Sequence, residues 1–439
     1  MRKTSILIAI LLVVCTSGTV LAMDFDFDDL FGGDLLVEIE EDTSAARPEE
    51  ALLVQDGWDV GGRYNFSVEA GRTMRDGIDP VDTFATTLGG QIYLDARPDP
   101  NFRVLGKVGL DYTVSKVKGS TEGTQEPLKL SLQELFTDFN YDNKVFFRAG
   151  KQNVKWGVGY FFSPADVINI GRIDPQDPEA EREGPVALKV HYPRGSTNYY
   201  LYTLFDGVEE PSQVALAPKL EFVVGGTEIG LGGFYQKDKA PRAMLTLSSS
   251  LGSFAVFGEA VLSKGSDKGF VAEWPGDYPI YKQDELFLHA TAGGRYSYND
   301  PDDLFDLMVA AQYYYNGEGY ANQDHIQNLR RHYALLLFLE DPQADDFVLT
   351  DLTSSGKHYF ATMVNWNGIL GSKFSASALL NANLSDKSGI FTASLKLPSI
   401  SKISPSVGTR VFFGDDLTEY GALRSTTVFA AITLGSGSF

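Results

Sequence analysis

From residue 57 onward, apolar and polar side chains alternate. Trp58, Val60, Gly62, Tyr64, Phe66, Val68 and Ala70 interleave with Asp59, Gly61, Arg63, Asn65, Ser67 and Glu69. Successive side chains of a strand point to opposite faces, so this segment predicts a strand with one apolar and one wet face. Eighteen such segments are legible, bounded by turn residues: 57–70, 81–96, 102–116, 128–141, 144–152, 185–193, 197–205, 214–224, 227–236, 242–249, 253–263, 285–298, 303–316, 356–367, 371–384, 389–397, 406–414 and 424–434. One hairpin missed or invented would make the number sixteen or twenty.

The connections alternate in length. Those after even-numbered strands are mostly short, such as Asp142-Asn143 and Gly225-Gly226, although 398–405 is longer. Three of those after odd-numbered strands are long: 153–184, 264–284 and 317–355. Short turns at one end and long loops at the other are the arrangement of an outer-membrane barrel, whose long loops face outside. In 285–298, Leu286, Leu288, Ala290, Ala292, Gly294, Tyr296 and Tyr298 then face lipid, and Phe287, His289, Thr291, Gly293, Arg295 and Ser297 face the lumen. Trp58 and Trp366 fall at the short-turn end, where an aromatic belt sits. The last strand carries Val428, Ala430, Ile432 and Leu434 in alternation, Gly435 to Ser438 make a poor strand end, and Phe439 is a weak barrel-assembly signal. The fold class is all-β: a transmembrane antiparallel up-and-down β-barrel of about eighteen strands over 57–439.

The start of the chain fits export. Arg2 and Lys3, the apolar run Ile6 to Val14 and the small-residue site Val20-Leu21-Ala22 read as a signal peptide over 1–22. The run is too short to span a bilayer. Val14 before Cys15 argues against lipidation, and cleavage after Ala22 removes the sole cysteine, with any disulfide or thiol chemistry. Loss of Arg2 and Lys3 takes the formal charge from −21 to −23, which argues against a nucleic-acid partner. Residues 23–56 carry twelve acids against Arg47 alone and show no sustained period. They read as an acidic periplasmic tail without a packed core, with a short docking helix or a small plug built on Phe25, Phe27, Leu30, Phe31, Leu35 and Leu36 as the alternative.

The 153–184 segment is the third external loop. Its first half, Lys155-Trp156-Gly157-Val158-Gly159-Tyr160-Phe161-Phe162, is too aromatic for a solvated loop, and Ser163 or Asp166 is placed to cap a short helix. Its second half is charged and rich in proline. Folded inward, it would narrow the lumen with Asp166, Arg172, Asp174, Asp177, Glu179, Glu181, Arg182 and Glu183, and charges in a narrow pore set ion preference. Packed on the outer rim, it would only seal the barrel. Arg148-Ala149-Gly150-Lys151-Gln152, Trp156-Gly157 and Ser163-Pro164-Ala165-Asp166-Val167-Ile168-Asn169 together resemble a segment of porin-like outer-membrane proteins, including the broad alginate-export type. The resemblance covers about twenty residues. It implies a solute channel and names no solute.

Lumen-facing parity falls on Arg63, Arg103, Lys107, Arg148, Arg295, Lys373 and Arg410, with Glu69, Asp111, Glu285 and Asp306. A basic wall opposite an acidic loop would set up a transverse field; interior ion pairing is the alternative. Tyr199, Tyr200 and Tyr202, and Tyr313 to Tyr315, offer sugar-stacking surfaces or interface girdles. His325 and His332 share a helical face within 324–340, a short loop helix too short to cross a membrane, and two histidines make weak metal evidence. No nucleophile, base and orienting group stand in recognisable relation, so an enzyme is not expected. The expected function is passive or weakly selective passage of small hydrophilic solutes, with outer-membrane lipid outside and no cofactor. An adhesin or structural barrel without an open pore, and a barrel hydrolase, are the alternatives. A homo-trimer is compatible with the class, and the sequence does not choose it.

Overall fold

The computed structural model describes residues 57–438, apart from 119–123, 126–127, 171, 181, 273–279, 303, 339–353 and 402. The expected signal peptide and acidic tail, together with Phe439, lie outside the described residues. Eighteen strands run in chain order: β1 (Gly57–Arg75), β2 (Ile78–Asp99), β3 (Phe102–Val117), β4 (Lys129–Tyr141), β5 (Val145–Lys151), β6 (Val186–Arg194), β7 (Thr197–Leu204), β8 (Ala215–Val224), β9 (Thr227–Phe234), β10 (Arg242–Leu251), β11 (Phe254–Lys264), β12 (Leu286–Asn299), β13 (Asp306–Asn316), β14 (His358–Asn367), β15 (Ser375–Asn383), β16 (Ser388–Lys396), β17 (Ile403–Phe413) and β18 (Ser425–Ser438). Each pairs antiparallel with the next. β18 pairs with β1, Ala430 opposite Ala70, and this last pairing closes the sheet into a barrel without edges.

The alternating sequence pattern becomes an inside-out barrel. On β12, Leu286 and Leu288 are 67% and 45% exposed on the outer face, while Phe287 between them is 7% exposed on the inner one. Apolar residues on the surface are what a lipid-facing wall requires. Exposed aromatics line both ends of the wall, among them Trp58, Phe102, Tyr141, Tyr199 and Phe254 at the short-turn end and Phe205, Tyr235 and Phe413 at the long-loop end. The short turns have the expected chemistry: Asp142 and Asn143 both take positive φ (55° and 49°), the paired left-handed conformation that suits a tight hairpin between twisted strands.

Three differences from the sequence reading have physical reasons. The interval 71–80 is a tight hairpin closed at Asp76-Gly77, with β1 and β2 extended through it. Their apolar alternation stops before the strands do, because pairing continues beyond the apolar zone. The poor strand end is in fact paired, with Ser438 opposite Arg63. Lys373 lies in the turn before β15 and so is not a wall residue.

The wall varies in height. β2 has 22 residues and β5 has 7. The long-loop end carries α1 (Gln323–Phe338), the loop helix expected from the sequence. Its buried Ile326 and Leu329 pack against Val271 of a small hairpin, Phe270–Val271 with Ile280–Tyr281. Arg330 donates to Leu417 O and Ser355 Oγ, both at 2.8 Å, fastening α1 to the loops beside it. No helix among the described residues is long and apolar enough to cross a membrane.

Candidate functional site

The described residues of the β5–β6 connection, 152–170, 172–180 and 182–185, enter the barrel. Trp156 is buried with Tyr202, Met244 and Val261 on the inward faces of β7, β10 and β11. Its indole meets the Tyr202 ring edge-on at 5.2 Å and donates to Met244 Sδ at 3.0 Å. Five residues on, the fully buried Phe161 packs on Met308, Ala310, Ala361, Met363 and Leu379 of β13 to β15. The aromatic half of the loop therefore occupies the inner wall from β6 to β15. The expected helix at Ser163 or Asp166 is absent; both side chains are engaged elsewhere.

Three wall side chains grip the loop backbone. Glu259 on β11, itself buried, accepts from Val158 N–H at 2.5 Å, Gly159 N–H at 2.6 Å and Ser163 Oγ at 2.9 Å on one oxygen, and from Ala165 N–H at 2.9 Å on the other. Gln312 on β13 accepts from Tyr160, Phe161 and Phe162 N–H at 3.1, 2.7 and 3.3 Å, and its amide donates to Phe162 O at 2.6 Å. Lys219 on β8 donates to Trp156 O at 2.7 Å. A buried carboxylate is costly unless donors surround it, and backbone N–H groups bonded to a charged acceptor make strong hydrogen bonds. The loop and the wall thus satisfy each other. Gly157 and Gly159 permit the approach: a Cβ on Gly157 would overlap Ser163 Oγ and the Glu259 carboxylate, and one on Gly159 the Phe162 carbonyl.

The sequence-predicted loop charges divide into paired and rim groups. Asp166 pairs with Arg182 and accepts from Asn169 Nδ2 at 2.9 Å. Burial raises its pKa, and Arg182 works against that shift. Glu179 accepts from Tyr160 Oη at 2.7 Å. Lys151 holds Glu183 at 2.5 Å and lowers its pKa. Asp174 is exposed and accepts from Gln176 N–H at 2.8 Å. Asp177 is pushed up by burial and by Asp174 beside it. Arg172 is exposed, within electrostatic reach of His289 and Tyr314. Glu181 lies outside the described residues.

On the wall, Arg103 and Arg148 belong to an ion-pair chain toward the short-turn end. Asp95 receives Arg97 at 2.7 Å and Arg103 at 2.8 Å; Asp138 receives Arg103 at 3.4 Å and Arg148 at 2.6 Å. The Arg148 guanidinium lies 3.9 Å from the Phe136 ring centroid. Lys107 faces Glu134 at 3.9 Å. Arg63 and Asp111 are exposed on the inward face, Arg410 lies over Phe429 at 5.9 Å, and Arg295 is within electrostatic reach of Tyr160. The tyrosine clusters split by parity: Tyr199 and Tyr313 face outward, whereas Tyr314 faces inward and stacks on Phe162 at 5.3 Å. His325 bonds Val271 O at 3.0 Å, a packing role, and no group of three potential metal ligands occurs among the described residues.

Glu259, Gln312 and Lys219 were not singled out from sequence. By parity they are ordinary lumen-facing polar residues. The hint lay in the loop, where Gly157 and Gly159 between aromatics mark a place that other atoms approach closely.

A closed antiparallel barrel of eighteen strands, apolar outside and polar within, with a long loop folded inward, defines a porin-like transmembrane β-barrel. No protein family matches the chain, and no curated protein matches it either. Among solved structures it is similar to OccAB1 of Acinetobacter baumannii, at 12% identity and a TM-score of 0.47, over 87% of this chain and 97% of that one. It is also similar to OccK7 (OpdD) of Pseudomonas aeruginosa, at 7% identity and a TM-score of 0.45, over 87% and 99% of the two chains. A variant of the Rh. blastica porin gives 9% identity and a TM-score of 0.38, over 87% and 100%.

Proposed function

We propose that this protein is an outer-membrane channel for small hydrophilic solutes, narrowed by the 152–185 loop. The observation that carries the reading is the latch: Glu259, Gln312 and Lys219 fix the loop inside the lumen through its backbone. A loop that merely sealed the rim would not need buried wall side chains to receive it. The paired charges Asp166–Arg182 and Lys151–Glu183 give the loop a fixed shape, and Arg172, Asp174 and Asp177 form the part that sorts solutes by charge. The leader ending at Ala22 supplies export, and its removal leaves a chain without cysteine.

Reconstitution in a planar bilayer tests this. The protein is expected to give discrete conductance steps that scale with salt concentration. A folded, heat-modifiable barrel that inserts and gives no steps would overturn the channel and favour a closed structural barrel.

A further inference from the structure

The outward face of β1 to β3 has a chemical boundary. Going toward the long-loop end it is apolar through Val68 and Ala70 on β1, Leu88 and Phe84 on β2, and Leu110 and Val114 on β3. Then it changes. Arg72 on β1 and Lys118 just past the end of β3 flank the Asp82 carboxylate on β2, and Lys116 lies one outward position below Lys118, in register with Phe84. Asp82 lies 3.7 Å from Arg72 and 3.3 Å from Lys118, and the two cationic side chains are 61% and 80% exposed. Two of the three cations pair with that one acid, so these four side chains carry a positive excess in a chain whose formal charge is −21.

The height of the patch locates it. Arg72 is fourteen residues beyond Trp58, the aromatic at the short-turn end. At ~3.3 Å per residue and a strand tilt of roughly 40°, that is about 35 Å along the barrel axis, against an apolar band of about 25 Å. The cations therefore stand roughly 10 Å above the hydrocarbon, at headgroup level on the external side. This is the tall sector of the wall, where β1 and β2 outrun the membrane, so their outward side chains meet headgroups.

We propose that Arg72, Lys116 and Lys118 form a docking site for the phosphate groups of an outer-leaflet phosphoglycolipid, whose acyl chains lie on Val68, Leu88 and Val114 below. The inference rests on the outer-membrane reading. Guanidinium and ammonium groups match phosphate in charge and geometry. The apolar strip directly beneath suits acyl chains, so a lipid fits the whole surface, whereas free phosphate uses its upper edge alone. Asp82 pairs with Arg72 and Lys118 and tempers their field.

The test uses the full barrel refolded in detergent and titrated with bisphosphorylated lipid A, with bound lipid counted by native mass spectrometry. Each basic group at a membrane surface contributes about 1 kcal/mol, so the Arg72→Gln/Lys116→Gln/Lys118→Gln variant should bind roughly a hundredfold more weakly. Asp82→Asn should bind roughly fivefold more tightly by the same measure. Dephosphorylated lipid A should bind the wild type and the triple variant equally, and inorganic phosphate should compete only weakly with the lipid. Equal lipid A affinity for wild type and both variants would overturn the site. Complete competition by inorganic phosphate would reduce it to an anion patch and overturn the lipid assignment. A water-soluble, detergent-independent wild-type protein would instead overturn the membrane reading, and that result is scored separately by heat modifiability.

Discussion

One oxygen of Glu259 on the β11 wall receives the backbone N–H of Gly159, 100 residues earlier in the chain, at 2.6 Å. The bond ties the inward loop to the barrel mainly through the loop backbone, with the Ser163 hydroxyl as the one loop side chain on the same carboxylate. Substitutions at Glu259 should therefore act through loop position. Glu259→Gln keeps one accepting oxygen and replaces the other with an amide that cannot accept, so either Ala165 N–H or the Val158–Gly159–Ser163 set loses its partner. Glu259→Ala loses both. A buried donor left unpaired costs about 1–3 kcal/mol, enough for the loop to leave the wall part of the time. Single-channel recording should show larger mean conductance and more flicker, in the order wild type, Glu259→Gln, Glu259→Ala. Unchanged traces in both variants would show that the latch does not hold the constriction.

Charge selectivity should fall with pH earlier than ordinary carboxylates allow. Burial and the Asp174 charge raise the Asp177 pKa, so it takes up a proton while exposed acids remain charged. Protonation removes a negative charge, so reversal potential should move toward anions as pH drops into the range just above normal carboxylate titration. Asp177→Asn should delete this upper part of the profile. Glu183, held low by Lys151, keeps its charge through the same window. For stability the sign is the same: with its folded pKa above its unfolded one, Asp177 disfavours the folded state most at high pH, and this penalty is relieved as pH falls.

The chain of Arg97, Asp95, Arg103, Asp138 and Arg148 should stiffen one sector of the wall. Asp138→Asn would leave Arg148, a cation with 21% side-chain exposure, without the opposing charge it now meets at 2.6 Å and with one acceptor oxygen fewer. The loss should fall between the ~1 kcal/mol of an exposed pair and the ~3–5 kcal/mol of a dry one. Urea midpoints of the detergent-folded barrel should drop for Asp138→Asn and stay within error for Lys118→Gln, whose pair is exposed.

The strands were legible because a wall with lipid on one side and water on the other enforces a period of two over every segment. All eighteen observed strands overlap the expected ones. The ends were less legible where that constraint lapses, as in β1 and β2 beyond Ala70 and in Gly435 to Ser438, where backbone pairing continues without an apolar face. The inward loop was visible as an aromatic stretch in an otherwise polar setting. Its latch was not, because Glu259 and Gln312 are unremarkable on their own strands and gain meaning only from a loop about 100 and 150 residues away. The wall arginines showed their parity in the sequence, but Asp95 and Asp138, which neutralise two of them, become neighbours only through strand register.

The most direct test of a channel narrowed by this loop uses the missing thiol. A chain expressed from Met23 has no cysteine, so Asp174→Cys introduces a single reactive site on the exposed part of the loop. A bulky charged thiol reagent added during bilayer recording should lower the current through Asp174→Cys in discrete steps and leave Asp76→Cys, on the external β1–β2 turn, unaffected. Equal insensitivity of both labelled variants, with labelling confirmed by mass, would contradict the placement of the loop in the conducting path.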